Sequence, residues 1–301
     1  MSAFWVDTDF GFDDLWALLV LRHLGARTSG ISLVAGNAPL EQVTRNALGA
    51  RRAYGFDAPL FRGAARPLLR APETAERILG ARGMRSRGRY LPDGGALEAG
   101  PEAARALQDW LGEDAARRDI LAIGPLTNIA RLIEDAPEAA ARITRVIWMG
   151  GSAGAGNHSA QAEFNALADP EAAARVAGFG VPLDVVDLSF CRRFTFDAGM
   201  MPQCDGLTRD LLGGYLDIAL ERGREAMGIY DPLAALVAVQ PEGFAFAPCD
   251  MAVSTRIDAS YGKTTFTPRA ESRTRLVTGA NFDPVPACLN ALPKSETEYD
   301  H

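Results

Sequence analysis

The chain has 301 residues, 48% of them hydrophobic and 23% charged, the balance of a globular protein with a sizeable core rather than of a disordered chain. A formal charge of -7 argues against a partner held mainly through phosphate contacts, so no nucleic acid partner is expected. No stretch reaches the ~20 apolar residues of a membrane span, and no charged start with an apolar run and a small-residue cleavage site marks a signal peptide.

Ala3 to Val6 reads as a strand that runs into Asp7-Thr8-Asp9-Phe10-Gly11-Phe12-Asp13-Asp14, with a helix following from Asp14 to Leu24. Ser32 to Ala35 is a second strand ending at Gly36-Asn37, with its helix over Gln42 to Tyr54, and Leu60 to Arg62 is a third strand. The run from Arg82 to Arg89 reads as an exposed loop rather than a polyanion contact, and Glu102 to Leu111 as a helix with Pro101 at its first turn. Asp119 to Ile123 is a strand ending in Gly124-Pro125-Leu126-Thr127-Asn128, with a helix from Ile129; Ile143 to Met149 is a strand that stops at Gly150-Gly151 before a polar, glycine-rich loop. Pro170 to Ala177 is a helix and Val181 to Val186 a strand, followed by helices over Leu207 to Ala219 and Asp231 to Ala238. Met251 to Ile257 and Lys263 to Thr267 suggest an antiparallel hairpin.

This alternation predicts an α/β fold with an open, mostly parallel sheet, helices on both faces and a small antiparallel addition. No linker or internal repeat divides residues 1–301, so a single domain is expected. Cys191, Cys204, Cys249 and Cys288 lack paired metal-ligand spacing and read as free thiols in a reducing, cytoplasmic compartment.

Ligand crevices of open α/β sheets lie beyond the carboxyl ends of the strands, where Asp9, Asn37, Thr127, Asn157 and Asp231 are expected to converge. Asp7, Asp9, Asp13 and Asp14 crowd like charges that raise one another's pKa unless a cation intervenes. Oxygen donors without nearby Cys or His suit Ca²⁺ or Mg²⁺ rather than zinc. Helix capping accounts for Asp13 and Asp14 but not for Asp7 and Asp9 at the end of an apolar strand. A haloacid-dehalogenase-like phosphatase also pairs two aspartates two residues apart, although Gly11 stands where its threonine is usual, and the only lysines are Lys263 and Lys294.

The acidic segment resembles the signature of the inosine-uridine-preferring nucleoside hydrolases, and further segments match in order: Val34-Ala35-Gly36-Asn37, Thr44-Arg45-Asn46-Ala47-Leu48, Gly124-Pro125-Leu126-Thr127-Asn128, Met149-Gly150-Gly151, Ala162-Glu163-Phe164-Asn165 and Asp231-Pro232. The resemblance implies hydrolysis of a ribonucleoside to free base and ribose, in purine or pyrimidine salvage, by a homodimer or homotetramer. It implies Ca²⁺ held by Asp9, Asp14, the carbonyl of Thr127 and Asp231, and Asp9 as the base that takes a proton from the attacking water. Asp13 and Asn165 would bind ribose hydroxyls, Asn37 would steady the ribose and the ligands, and Asn157 and Glu163 would hold the 5′-hydroxyl side, with Met149 against the sugar. Asp7 is expected to support the loop.

The sequence departs from the family pattern at the rigidity of the opening turn and at the base. Phe10 stands where proline is common, and Tyr230 stands where many members carry a histidine linked to protonation of the leaving group. A tyrosine, with an ordinary pKa near 10, is poorly poised as that acid; its readings are a hydrogen-bond donor, a stacking ring or simple packing. The flap histidine is also missing, since Leu79 to Met84 occupies its region. His23 is expected to be structural or solvent-facing and His301 is terminal, which leaves His158 as the only histidine near the pocket. The alternative is a nucleoside- or sugar-binding protein whose catalysis is impaired.

Overall fold

Phe4 and Val6 project into one hydrophobic core and Trp5 into another, which is why the first strand reads as continuously apolar rather than alternating. The computed structural model describes residues 3–113 and 117–294, so His301 lies outside the described residues. The first half of the chain forms β1 (Ala3–Thr8), α1 (Phe12–His23), β2 (Arg27–Leu33), α2 (Leu40–Tyr54), β3 (Leu60–Arg62), α3 (Glu76–Leu79), α4 (Ala103–Gly112), β4 (Asp119–Ala122), α5 (Thr127–Asp135), α6 (Pro137–Ala140) and β5 (Arg145–Met149). There follow α7 (Phe164–Ala168), α8 (Pro170–Phe179), β6 (Leu183–Val186), α9 (Leu188–Cys191), β7 (Thr195–Phe196), α10 (Gly206–Leu220), β8 (Met227–Gly228), α11 (Asp231–Val239), β9 (Phe244–Val253), β10 (Thr264–Pro268), β11 (Thr274–Ala280) and α12 (Val285–Asn290).

The strands order as β10-β9-β11-β6-β5-β4-β1-β2-β3, with β7 and β8 in a separate ribbon. Every pairing from β11 to β3 is parallel, whereas β9 is antiparallel to both β10 and β11. One face is covered by α1, α2, α10, α11 and α12, the other by α4, α5 and α8. The chain winds outward from β1 to β3 and then returns to β4 on the other side. The acidic loop after β1 therefore opens at the switch point of the sheet, where neighbouring connections diverge and leave a crevice.

The mostly parallel sheet and its antiparallel addition agree with the sequence reading; the β7–β8 ribbon and the short helices α3, α7, α9 and α12 were not anticipated, and three further differences bear on particular residues. Helix α5 begins at Thr127, so the threonine lies in its first turn and not before it. The first hairpin strand starts at Phe244 and ends at Val253; Asp258 draws the following segment into a turn by accepting from the Ser260 amide at 2.8 Å, and Ile257 is left exposed. The third strand of the addition, β11, was not anticipated, because Arg275, Thr278 and Gly279 interrupt its apolar pattern.

The arginine-rich run is not free. Arg87 makes paired bonds of 2.9 and 2.6 Å to Asp217, Arg85 reaches Glu221 at 2.5 Å, and the Arg89 amide donates to Asp210 at 2.9 Å, so the segment straps onto α10. Among the described residues no helix is long and apolar enough to cross a membrane. All four cysteines are free and buried.

Candidate active site

The turn between β1 and α1 is held by its own carboxylates. Asp14 accepts from the Gly11 amide at 2.7 Å, which caps α1, and also from the Thr8 hydroxyl. Asn37, just beyond β2, bridges two acids: its amide donates to Asp9 Oδ2 at 2.7 Å and its side chain to Asp14 Oδ2 at 3.1 Å. A Cβ on Gly36 would collide with the Asp9 carboxylate, so this approach requires glycine. Phe10 adopts φ +35°, its amide donating to Thr8 Oγ1 at 3.1 Å, and Asn46 of α2 donates to its carbonyl at 3.0 Å. Asp7 points away into a buried network, accepting from the Ser32 hydroxyl and, at 2.8 Å, from Asn128.

A second group of residues follows β5. Trp148 fills the space where a side chain on Gly150 would sit, and Met149 ends the strand against the cavity. Glu163 caps α7, accepting from the amides of Asn165 at 2.8 Å and Ala166 at 3.1 Å, and also receives Gly151 N at 2.8 Å. Asn157 accepts from the Phe164 amide at 2.9 Å, and Asn165 donates to the Met149 carbonyl at 2.9 Å. His158 shares a 2.8 Å contact with Glu73, tying this loop to the segment before α3.

Asp231 opens α11 behind the β7–β8 ribbon, with Tyr230 immediately before it. The Tyr230 ring folds back over Gly228, where a Cβ would stand 2.8 Å from the hydroxyl. Tyr215 of α10 donates to Asp13 Oδ2 at 3.1 Å. These elements enclose a cavity of about 270 Å³ lined by Asp9, Asp13, Asn37, Met149, Asn157, Glu163, Asn165, Tyr230 and Asp231. Its remaining wall includes Ile78, Leu79, His158, Tyr215, Ile218, Arg192, Arg222 and Arg224.

Burial dominates the electrostatics. It lifts Asp9 well above the ordinary carboxylate range, and the charges of Asp14 and Asp13 raise it further. Asp14 is pushed up to about 7 by burial and by Asp13. Asp231 rises for the same reasons, burial first and then Asp13, Asp14 and Asp9. Glu163 reaches about 7 by burial, against the backbone amides that hold it.

A family model described as inosine-uridine preferring nucleoside hydrolase matches residues 4–285. The chain belongs to the inosine-uridine preferring nucleoside hydrolase family. Among similar sequences, the non-specific ribonucleoside hydrolase RihC of Escherichia coli O1:K1 is 35% identical over 268 residues, covering 86% of each chain. RihC of Shigella boydii serotype 18 is 35% identical over the same share. Among solved structures, the purine-preferring ribonucleoside hydrolase from Gardnerella vaginalis superposes with a TM-score of 0.84 at 24% identity over 96% of both chains. The plant nucleoside hydrolase PpNRh1 gives 0.84 at 23% identity, over 96% of this chain and 97% of that one.

In this nucleoside hydrolase family member, the clustered acids differ by one from the carboxylates expected as metal ligands: Asp9 lines the cavity but stands outside the cluster, and Asp13 stands within it. Carboxylate oxygens of Asp13, Asp14 and Asp231 lie within 4.8 Å of one another, so Asp13 stands with the metal-ligand candidates as well as at the cavity wall. Two buried carboxylates and the half-buried Asp13, whose charges repel one another, fit a hard cation with oxygen ligands, Ca²⁺ or Mg²⁺. Thr127 is buried at the start of α5, its hydroxyl donating to Asp169 at 2.7 Å, and it does not line the cavity through its side chain. His23 is exposed on α1.

Sequence reasoning missed Tyr215 and the arginines. Tyr215 lies on a helix whose apolar stripe hides one polar contact, and Arg222 and Arg224 sit in an unremarkable charged turn. Only the fold brings these residues to the cavity, and Tyr215 to Asp13, 202 positions away.

Proposed function

We propose that the chain is a calcium-dependent nucleoside N-ribohydrolase that cleaves a ribonucleoside to free base and ribose. The observation that carries this reading is the joining of a buried carboxylate cluster to the Asn157–Asn165 segment around one cavity. Asp9, Asp14, Asp231 and the Thr127 carbonyl would hold the cation, with Asp13 beside them. Bound there, Ca²⁺ would orient the ribose diol and make the attacking water more acidic.

Asp9 takes the proton of that water as general base. Asn37 keeps Asp9 oriented by binding only one of its oxygens. Asp13 and Asn165 bind ribose hydroxyls, the former oriented by Tyr215 and the latter by the Met149 carbonyl. Asn157 and Glu163 flank the 5′-hydroxyl, with Met149 against the sugar. Tyr230 contributes a ring face and a hydroxyl donor to the base, and burial raises its pKa, so the hydroxyl stays protonated. As the glycosidic bond breaks, positive charge grows on the ribose, and the surrounding carboxylates favour that charge over the neutral substrate.

Free buried thiols support a cytoplasmic setting, and the sheet, with strands drawn from Ala3 to Ala280, supports one domain across the chain. A homodimer or homotetramer follows from the family resemblance. Purine, pyrimidine and nicotinamide ribosides, assayed for ribose release with Ca²⁺ present, test the function; release from none of them rejects it.

A further inference from the structure

The cavity is electrically two-sided. Asp9 and Asp231 are 1% and 3% exposed, whereas Arg222 and Arg224, lining the same cavity, are exposed at its lip. Both arginines belong to the short turn between α10 and β8. Gly223 takes φ +70° there, and the amides of Gly223 and Arg224 bond back to Leu220 and Ala219, each at 3.0 Å.

Their neighbours are committed elsewhere. Arg85 and Arg87 spend their charge on Glu221 and Asp217. Arg192 donates to the carbonyls of Ala155 and Gly156 at 2.8 and 2.7 Å and so braces the loop that carries Asn157. Among the described residues, the hydrogen bonds and ion pairs of the arginine side chains include none from Arg222 or Arg224, and both residues line the cavity and are exposed.

We propose that Arg222 and Arg224 stabilise the departing base as an anion, doing by charge what a proton donor would otherwise do. The proposal rests on the nucleoside hydrolase reading above. With the ribose at the acidic end, the base extends toward the arginines. The glycosidic C–N bond breaks with both electrons going to the base nitrogen, and the charge spreads to an exocyclic carbonyl oxygen that a guanidinium can hold. The water oxygen bonds to the anomeric carbon, its proton passing to Asp9. The base anion then takes a proton from solvent while Asp9 returns its own, so nucleoside and water become ribose and neutral base. Negative charge develops at the arginine end as positive charge develops at the carboxylate end, and both ends bind the transition state more tightly than the neutral nucleoside. Selectivity follows: the site favours ribosides of oxopurines and oxopyrimidines, whose bases carry an acidic N–H and a carbonyl, over ribosides of bases lacking a carbonyl.

The test compares the full-length protein with Arg222→Ala/Arg224→Ala and Arg222→Lys/Arg224→Lys on inosine, uridine and 4-nitrophenyl riboside, whose leaving group is already a good anion. The alanine pair should lower kcat/KM on inosine and uridine about tenfold, the order expected for charge-assisted contacts weakened by solvent. It should lose far less on the nitrophenyl riboside, and the lysine pair should recover part of the loss. Added salt should slow wild type on inosine more than the alanine pair, since the lost charges are the screened ones. An equal loss on all three substrates, or none on inosine and uridine, overturns the proposal while leaving the hydrolase reading intact. No ribose from any substrate with wild type overturns both.

Discussion

Tyr215→Phe removes one oxygen and leaves the ring, so it isolates a single contact in the site. Tyr215 is 4% exposed, its ring centroid 5.7 Å from that of Phe12 and 6.4 Å from that of Phe196, and its hydroxyl donates to Asp13 Oδ2 at 3.1 Å. The packing survives the change and the donor does not. A hydrogen bond to a charged group contributes about 1.5–3 kcal/mol, which corresponds to roughly a ten- to hundredfold fall in kcat/KM. Burial raises the pKa of Asp13 and the Tyr215 hydroxyl opposes that rise, so the variant should raise it further. If ribose binding needs the ionised carboxylate, the acid limb of kcat/KM should move to higher pH. Ribose release from pH 5 to 8, with a melting curve as the check on folding, reads both effects. An unchanged kcat/KM with an unmoved acid limb would refute the assignment of Tyr215 as the group that positions Asp13.

Three further outcomes follow from the same geometry. Phe10→Pro should lower stability by about 3 kcal/mol or more, seen as a fall in the urea midpoint, because proline cannot adopt φ +35° and has no amide for Thr8; a midpoint equal to wild type would contradict it. In chelator, stability should fall as pH rises from about 4 to about 7. Asp14 binds its proton up to about 7 in the folded chain but only to about 4 when unfolded, so the native state holds more protons across that window; Ca²⁺ should flatten the slope, and a rise with pH in chelator would count against a carboxylate site in need of a cation. Tyr230→Phe retains the ring and should lose about tenfold or less on inosine, as a neutral donor would, whereas a loss of several orders of magnitude would make the hydroxyl essential.

Much of the architecture was legible because its signals are local. Apolar runs such as Ile120–Ala122 and Val146–Trp148 end in glycine turns, and Asp169 with Pro170 marks the start of α8 by a 3.0 Å bond to the Ala172 amide. Strand β11 was not, since it is held by its neighbours β6 and β9 and not by its own pattern. In the site, the acidic loop was legible for a similar reason: of four aspartates in eight residues at the end of an apolar strand, helix capping explains only Asp13 and Asp14. The double use of Asp14, as helix cap and as part of the acid cluster, shows why capping alone was a partial account. Glu163 likewise combines a cap of α7 with a place on the cavity wall. The base end was hidden because its residues come from α3, α10 and the turn before β8, and none of these carries a motif. Phe10, at the place where the resemblance led one to expect proline, takes a conformation that proline cannot, which only the backbone reveals.

The central claim is that the carboxylate loop binds Ca²⁺ and that Asp9 within it activates water. Ribose release from inosine and uridine, measured for wild type in Ca²⁺, for wild type in chelator and for Asp9→Ala in Ca²⁺, tests it most directly. The account predicts turnover in the first, its loss in the second with recovery when Ca²⁺ is restored, and near-complete loss in the third; full activity in chelator or in Asp9→Ala would contradict it.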